Sequence, residues 1–315
     1  MNIVLLESLG ISNTLLESYA DRIRKSGHSF TVWERTDDET ILIEHAKDAD
    51  VLILANMPLS GRVIRACPNL KFINIAFTGV DHVDLNAARE MGVSVSNASG
   101  YSTDAVAELT LGLALALLRN LPQVDTRCRE GQTKVGLIGN ELHGKTVGIV
   151  GTGAIGSRVA ELFRAFGCRI LASNDYSHKT STEQITYLPL HEMLPQVDLI
   201  SLHCPLNENT RGLIGKEELA LLKPSSLVLN TARGPVVDTN ALAEALNSHQ
   251  IAGAGIDVFE TEPPLALDHP LLHTPNTIVT PHVAFATEES MVKRAKIVFD
   301  NLDQWISGNQ VNTIL

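Results

Sequence analysis

Aromatic residues make up only 4% of the 315-residue chain, and cysteine is rarer still, at four positions. Cys67, Cys128, Cys168 and Cys204 form no C-x-x-C pair, so neither a zinc ribbon nor a dithiol redox centre has a footing. Scattered single cysteines read as reduced, mostly buried thiols, which predicts a cytoplasmic protein. Lysine and arginine form no run, and 25 of them stand against 36 acidic residues, a formal charge of -11. That balance argues against nucleic acid and anionic membrane surfaces as partners and favours a small molecule. Long apolar runs are missing too: the longest, Val106–Leu118, is broken by Glu108 and Thr110 and is too short for a hydrocarbon core of ~30 Å. It reads as a helix buried between domains or subunits. The opening MNIVLLESLG has no basic stretch and meets Glu7 early, so no signal peptide is expected. Low-complexity segments, short-period repeats, H-E-x-x-H and Walker loops are also absent, and no metal is expected.

With 44% hydrophobic and 19% charged residues the composition is that of a globular protein, and 315 residues suggest two domains at ~150 each. Short β-branched runs alternate with amphipathic stretches almost from end to end. Ile3–Leu6, Phe30–Trp33, Val51–Leu54, Phe72–Ile75 and Val93–Val95 read as strands of a first set. Val147–Val150, Ile170–Ala172, Leu199–Leu202, Leu227–Leu229, Gly255–Val258 and Ile278–Val279 read as a second. The alternation predicts an α/β fold of two doubly wound parallel sheets with helices on both faces. The final helix, Glu288–Ile306, carries Met291, Ala295, Val298, Leu302 and Trp305 on one face, and the pattern does not say which domain it covers.

The clearest motif is Gly151-Thr152-Gly153-Ala154-Ile155-Gly156, preceded by the apolar Val147–Val150 and followed by Val159, Leu162, Phe163 and Phe166 at helical spacing. Three glycines alone are a weak signal, but strand, glycine turn and helix together predict a dinucleotide-binding Rossmann unit. Gly151 would permit the turn, Gly153 the approach of a pyrophosphate, and Gly156 the packing of helix on strand. Preference between NAD and NADP depends on the end of the next strand, where Asn174 and Asp175 compete for the ribose position. Asp175 would repel a 2′-phosphate and favour NAD; Asn174 would not, and His178 and Lys179 are near enough to assist one.

Three further segments, Asn230-Thr231-Ala232-Arg233-Gly234-Pro235-Val236-Val237-Asp238, Gly255-Ile256-Asp257-Val258-Phe259-Glu260-Thr261-Glu262-Pro263 and Thr280-Pro281-His282-Val283-Ala284, resemble signatures of the D-isomer-specific 2-hydroxyacid dehydrogenases. Thr78-Gly79-Val80-Asp81-His82-Val83-Asp84 and Val106-Ala107-Glu108 extend the likeness over nearly the whole chain. The resemblance implies NAD-dependent hydride transfer between a 2-oxo acid and its D-2-hydroxy acid. Arg233 would hold the substrate carboxylate and polarise the 2-oxo group, because a guanidinium offers a planar two-pronged donor. His282 would be the general acid of reduction, and Glu262 would pair with it and fix its ring. Asp257 would meet the nicotinamide carboxamide, Thr103 would face the ring, and Thr231 and Ala232 would approach it through backbone. Ala154 and Ile155 would lie at the pyrophosphate, and Cys204, Pro205 and Thr210 on the adenosine side.

The same resemblance places Asn56, Gly79, Val80 and Phe285 against substrate, with Gly79 and Val80 acting through backbone N–H groups. Ala55-Asn56-Met57-Pro58-Leu59 has no Arg or Lys before Arg62, which argues against a phosphorylated substrate. Asn56, Gly100-Tyr101-Ser102-Thr103 and Phe285 resemble glycerate (hydroxypyruvate) dehydrogenases; glyoxylate, pyruvate and branched-chain 2-oxo acids are alternatives. A different class, an NAD(H)-sensing corepressor on the same fold, has no disordered tail or docking arm to support it. The expected layout inserts a Rossmann domain, residues 99–284, into a flavodoxin-like substrate domain formed by 1–98 and 285–315, with a hinge at the two crossings. A homodimer pairing through the apolar helix is also expected.

Overall fold

The computed structural model describes residues 1–173, 175 and 179–315. The chain divides into two compact units, Met1–Ser102 with Ala286–Leu315, and Thr103–Phe285. The expected cuts fall after residues 98 and 284; the units change over after 102 and 285.

Unit one runs β1 (Asn2–Leu5), α1 (Asn13–Lys25), β2 (Ser29–Val32), α2 (Glu39–Ala46), β3 (Val51–Leu54), α3 (Gly61–Arg65), β4 (Phe72–Ile75), α4 (Leu85–Glu90) and β5 (Ser94–Asn97). The five strands are parallel in the order β2-β1-β3-β4-β5. β3 and β4 are buried at every residue. This is why VLIL reads as an unbroken apolar run and FINI as one interrupted only by Asn74: a parallel sheet is covered on both faces. Helices start where side chains satisfy orphan N–H groups: Ser12 accepts from Leu15 N at 3.3 Å, and Asp84 from Ala87 N at 2.9 Å. The strand order reverses between β1 and β3, so ligand-facing loops are expected beyond the carboxyl ends there.

Unit two begins with α5 (Thr103–Leu118) and α6 (Leu121–Arg129), then β6 (Thr146–Val150), α7 (Ala154–Ala165), β7 (Arg169–Ser173), β8 (Thr186–Leu188), α8 (Leu190–Met193), β9 (Leu199–Leu202), α9 (Lys216–Leu221), β10 (Leu227–Asn230), α10 (Thr239–Asn247), β11 (Gly253–Ile256) and β12 (Thr277–Val279). Its parallel strands lie in the order β12-β11-β10-β9-β6-β7-β8. Alternate residues feed two cores. Val147, Ile149, Ile170, Leu199 and Leu227 pack with α5 and α7; Leu171, Ile200, Val228 and Ala254 pack with α9 and α10. β11 ends two residues earlier than expected because the chain beyond Ile256 turns to place Asp257 against residues 280–284. Phe166, expected on the buried face of α7, caps the helix and is largely exposed, since the helix ends at Ala165.

The last helix, α11 (Glu288–Ile306), belongs to unit one. Met291, Ala295, Val298 and Leu302 are buried, and Trp305 stacks on Phe72 with centroids 4.8 Å apart. A buried polar ladder adds register: Asn74 Nδ2 donates to Val298 O at 2.7 Å and Asn301 Nδ2 to Asn97 O at 2.9 Å. Among the described residues no single helix is long and apolar enough to cross a membrane.

Candidate active site

In unit two the strand order reverses between β6 and β9, and the glycine turn leaves β6 at that point. Gly151 has φ +92°, and a Cβ there would stand 2.7 Å from the backbone of His203 and Cys204. Gly156 is needed for contact: its Cβ would lie 1.9 Å from Gly151 O. Gly153 differs, since a Cβ there would meet nothing within 4 Å. It caps α7 without a side chain, and the helix's first N–H groups, at Ala154 and Ile155, lie at its positive end. This is the cradle a dinucleotide pyrophosphate requires, and the residues fit that group.

Two side chains brace the turn that were not expected to. Lys179 Nζ donates to Thr152 O at 2.5 Å, and Tyr187 OH donates to Thr152 Oγ1 at 2.9 Å. Asp175 Oδ2 accepts from Ser173 Oγ at 3.0 Å and from Leu190 N, at the start of α8, at 2.8 Å. One oxygen of the ribose candidate is thus engaged in holding α8. Asn174, its competitor, lies outside the described residues, as does His178. Beyond β9, burial pulls the His203 imidazole down to about 3, leaving it neutral with Nε2 2.7 Å from Ser201 Oγ. Burial likewise pushes the Cys204 thiol up to about 11, so it stays protonated. Beyond Pro205, the buried Thr210 donates its hydroxyl to Pro205 O at 2.6 Å and closes the loop.

The remaining residues leave three adjacent strands at one edge. Asn230 of β10 is level with Ile256 of β11, and Ile256 with Val279 of β12. The turns carrying Arg233, Asp257 and His282 therefore follow one another at the carboxyl ends. Asn230 folds the first turn, accepting from Ala232 N at 3.1 Å and donating to Arg233 O at 2.9 Å. The Thr231 hydroxyl is turned to Thr110 of α5, 2.9 Å away, leaving its backbone for other contacts. Thr103 is the first residue of α5. Gly234 permits the turn to touch its neighbour, because a Cβ would be 2.0 Å from the Phe259 backbone.

Asp257 is fully buried. Burial raises its pKa, and hydrogen bonds from Thr280, Val283 and Ala284 oppose the rise. Its Oδ1 accepts from Thr280 Oγ1 at 2.6 Å and Val283 N at 2.9 Å, and its Oδ2 from Ala284 N at 2.9 Å. Asp257 thus clamps the histidine loop. The clamp matters because His282 adopts φ +55°, a conformation costing roughly 1–2 kcal/mol for a residue with a Cβ. His282 N donates to Asp257 O at 2.8 Å, completing the brace. The imidazole, with 10% of its side chain exposed, places Nδ1 2.9 Å from both Glu262 oxygens. A carboxylate only accepts, so Nδ1 carries the proton of this pair, and Glu262 fixes the ring through that nitrogen. Phe285 sits edge-on to the ring at 5.2 Å.

In unit one the substrate candidates Asn56, Gly79 and Val80 lie beyond the carboxyl ends of the adjacent strands β3 and β4. Leu59 N donates to His82 O at 2.9 Å, and Asn97 Nδ2 to Thr78 O at 2.7 Å, so both loops are tied down. The loop has no Arg or Lys before Arg62, but the fold brings a cation to it. Arg35, beyond β2, donates from Nη1 to Asn56 Oδ1 at 3.1 Å. Its signal was positional: it follows a strand of the same sheet.

A family model described as the D-isomer specific 2-hydroxyacid dehydrogenase NAD-binding domain matches residues 111–284. A hydroxypyruvate reductase of Blautia hydrogenotrophica is 35% identical over 295 residues, covering 90% of this chain and 91% of that protein. A glyoxylate reductase of Korarchaeum cryptofilum is 37% identical over 277 residues, covering 85% and 83%. The D-lactate dehydrogenase from Aquifex aeolicus, solved with NAD and lactic acid, superposes with a TM-score of 0.86 at 27% identity, covering 98% of this chain and 96% of that one.

Proposed function

Because the chain belongs to the D-isomer-specific 2-hydroxyacid dehydrogenase family, we propose that Arg233, Glu262 and His282 carry its chemistry and that hydroxypyruvate is its substrate. The protein is an NAD-dependent oxidoreductase of 2-oxo and 2-hydroxy acids. The observation that carries the assignment is the His282–Glu262 pair, held on a left-handed turn by Asp257, at the same sheet edge as the Arg233 turn.

When bound, NADH supplies the hydride for the carbonyl carbon. The Gly151–Gly156 turn and the start of α7 hold its pyrophosphate, and Lys179 and Tyr187 keep that turn in shape. Asp175, with Asn174, is assigned to the adenosine ribose, and Cys204, Pro205 and Thr210 to the adenosine side. Thr103, Thr231, Ala232 and Asp257 are assigned to the nicotinamide end. Arg233 binds the substrate carboxylate and orients the 2-oxo group. His282 Nε2 delivers the proton to the carbonyl oxygen, and Glu262 stabilises the ring through Nδ1 before and after that transfer. In unit one the same reading assigns Asn56, Gly79 and Val80 to substrate; Phe285 shapes the wall beside His282.

A homodimer in the cytoplasm completes the proposal. α6 buries none of its residues within its unit, and Leu121, Val135 and Ile138 nearby are 49%, 77% and 88% exposed, apolar surface that a second copy would cover. All four cysteines are free thiols, in keeping with a reducing compartment. NADH oxidation followed at 340 nm against a panel of 2-oxo acids tests the substrate, and light scattering tests the dimer. Hydroxypyruvate ranking below pyruvate and the branched-chain oxo acids in kcat/KM would remove the substrate assignment.

A further inference from the structure

We propose that Glu7 and Arg35 are positioning residues that lock Asn56 as a hydrogen-bond donor, and so select 2-oxo acids carrying an uncharged hydroxyl at C3. The inference rests on the oxidoreductase reading above and adds two residues to it.

Glu7 follows β1 and is only 5% exposed, at the point where the order of the unit-one sheet reverses. Its Oε1 accepts from Ala55 N at 2.7 Å and from Met57 N at 2.8 Å, gripping the backbone on both sides of Asn56. Its Oε2 lies 3.5 Å from Arg35 Nη1, the atom that also donates to Asn56 Oδ1. A guanidinium has donors only, so the amide atom facing Arg35 must be the oxygen. The amide nitrogen of Asn56 is therefore turned away from Arg35, and among the described residues it has no hydrogen-bond partner. Loop and side chain are thus fixed by one carboxylate and one cation, and what Asn56 offers is a pair of N–H donors. A donor of this kind reads a hydroxyl oxygen.

The charge around the loop decides against anionic tails. Arg35 is faced by Glu7 and, at 3.6 Å from Nε, by Asp37. The buried Arg294 of α11 also acts on Glu7, while donating to Leu9 O at 2.7 Å. Two cations and two carboxylates leave no surplus positive charge for a phosphate ester or second carboxylate. Hydroxypyruvate suits the loop; its 3-phosphate does not.

Steady-state kinetics with NADH on glyoxylate, hydroxypyruvate and 3-phosphohydroxypyruvate test this in wild type, Arg35→Met, Arg35→Lys and Glu7→Gln. Arg35 is 38% exposed at its side chain, and thermal denaturation of each variant checks that it is folded. In Arg35→Met, kcat/KM for hydroxypyruvate should fall about three- to tenfold, through KM, as expected for one hydrogen bond left unordered. Glyoxylate, which has no C3, should change less than about twofold. Arg35→Lys should recover part of the loss. Glu7→Gln should repeat it, since an amide NH2 would then face the guanidinium. Equal losses on glyoxylate and hydroxypyruvate, no loss on either, or a wild-type preference for the phosphate ester would overturn the inference alone. A wild type inactive on all three substrates would overturn the underlying reading, and this inference with it.

Discussion

Replacing Gly156 and Gly153 by alanine, one at a time, should separate what the glycine turn does for the fold from what it does for the cofactor. At Gly156 the new methyl would stand 1.9 Å from Gly151 O, where ordinary contact begins near 3.4 Å, so helix and turn must part by roughly 1.5 Å. Overpacking of that kind costs about 1–3 kcal/mol, and in a unit of this size each kcal/mol lowers the melting midpoint by about 2–4 °C. At Gly153 the methyl would meet nothing within 4 Å, and φ is -72°, which alanine adopts freely. Alanine is a poorer helix cap than glycine but also restricts the unfolded chain, and the two effects, each about 0.5–1 kcal/mol, nearly cancel. Gly153→Ala should therefore melt within about 2 °C of wild type, yet fill the cradle and weaken NADH binding at least tenfold. Gly156→Ala should lose both stability and affinity. Thermal denaturation by circular dichroism and titration of NADH fluorescence read the two quantities separately. If Gly153→Ala bound NADH like wild type, or melted as early as Gly156→Ala, the assignment of the cradle would be wrong.

Arg233→Lys keeps the charge but loses the two-pronged fork, and kcat/KM should fall about 10- to 100-fold. Wild-type turnover would take Arg233 out of substrate binding. His282→Gln should bind NADH normally and lose about 10²–10⁴ in kcat, the usual share of a general acid; an active variant would move that role elsewhere. His203 titrates near 3 when folded because it is buried, against about 6.5 unfolded, so between these values the unfolded chain holds the extra proton. Its contribution is present above pH 6.5 and is lost as pH falls, with a slope of up to about 1.4 kcal/mol per pH unit. His203→Gln should flatten the dependence of the urea midpoint on pH between 6 and 4, and an unchanged slope would mean that His203 titrates normally in the fold.

Most of the sheet framework was legible in the sequence, because strands buried on both faces leave unbroken apolar runs such as VLIL at β3 and Leu227–Leu229 of β10. What escaped was built on weaker patterns. β8 is a three-residue edge strand, half-buried throughout, and α6 has no buried face to write a stripe into its sequence. Arg233, Glu262 and His282 stood out through three motifs whose spacing matches the turns beyond β10, β11 and β12. Their supports did not. Nothing local marks Lys179 and Tyr187 as props of a turn some thirty residues away, or Arg35 as the partner of Asn56; only the sheet order brings them together. The clamp by Asp257 was also hidden, because its partners Val283 and Ala284 bind through backbone N–H groups, which carry no residue signature.

The charge of -11 poses a physical problem that the supports answer. A dinucleotide and a 2-oxo acid are both anions, and the long-range field of the chain repels them. Their capture must rest on groups effective only at hydrogen-bond distance, where a donor outweighs a diffuse charge screened over a Debye length of ~8 Å. The helix start at Ala154, the backbone beside Gly153 and the guanidinium of Arg233 are the groups proposed for that capture. Each is useful only if held in place, and the structure invests its buried polar bonds in that holding. Thr152 is fixed by Lys179 and Tyr187, the Arg233 turn by Asn230, the His282 loop by Asp257, and the Asn56 loop by Glu7. Removing a support should therefore misplace a donor while changing the net charge by at most one unit. It follows that salt should affect the affinity of the wild type for NADH only weakly, while single support variants affect it strongly.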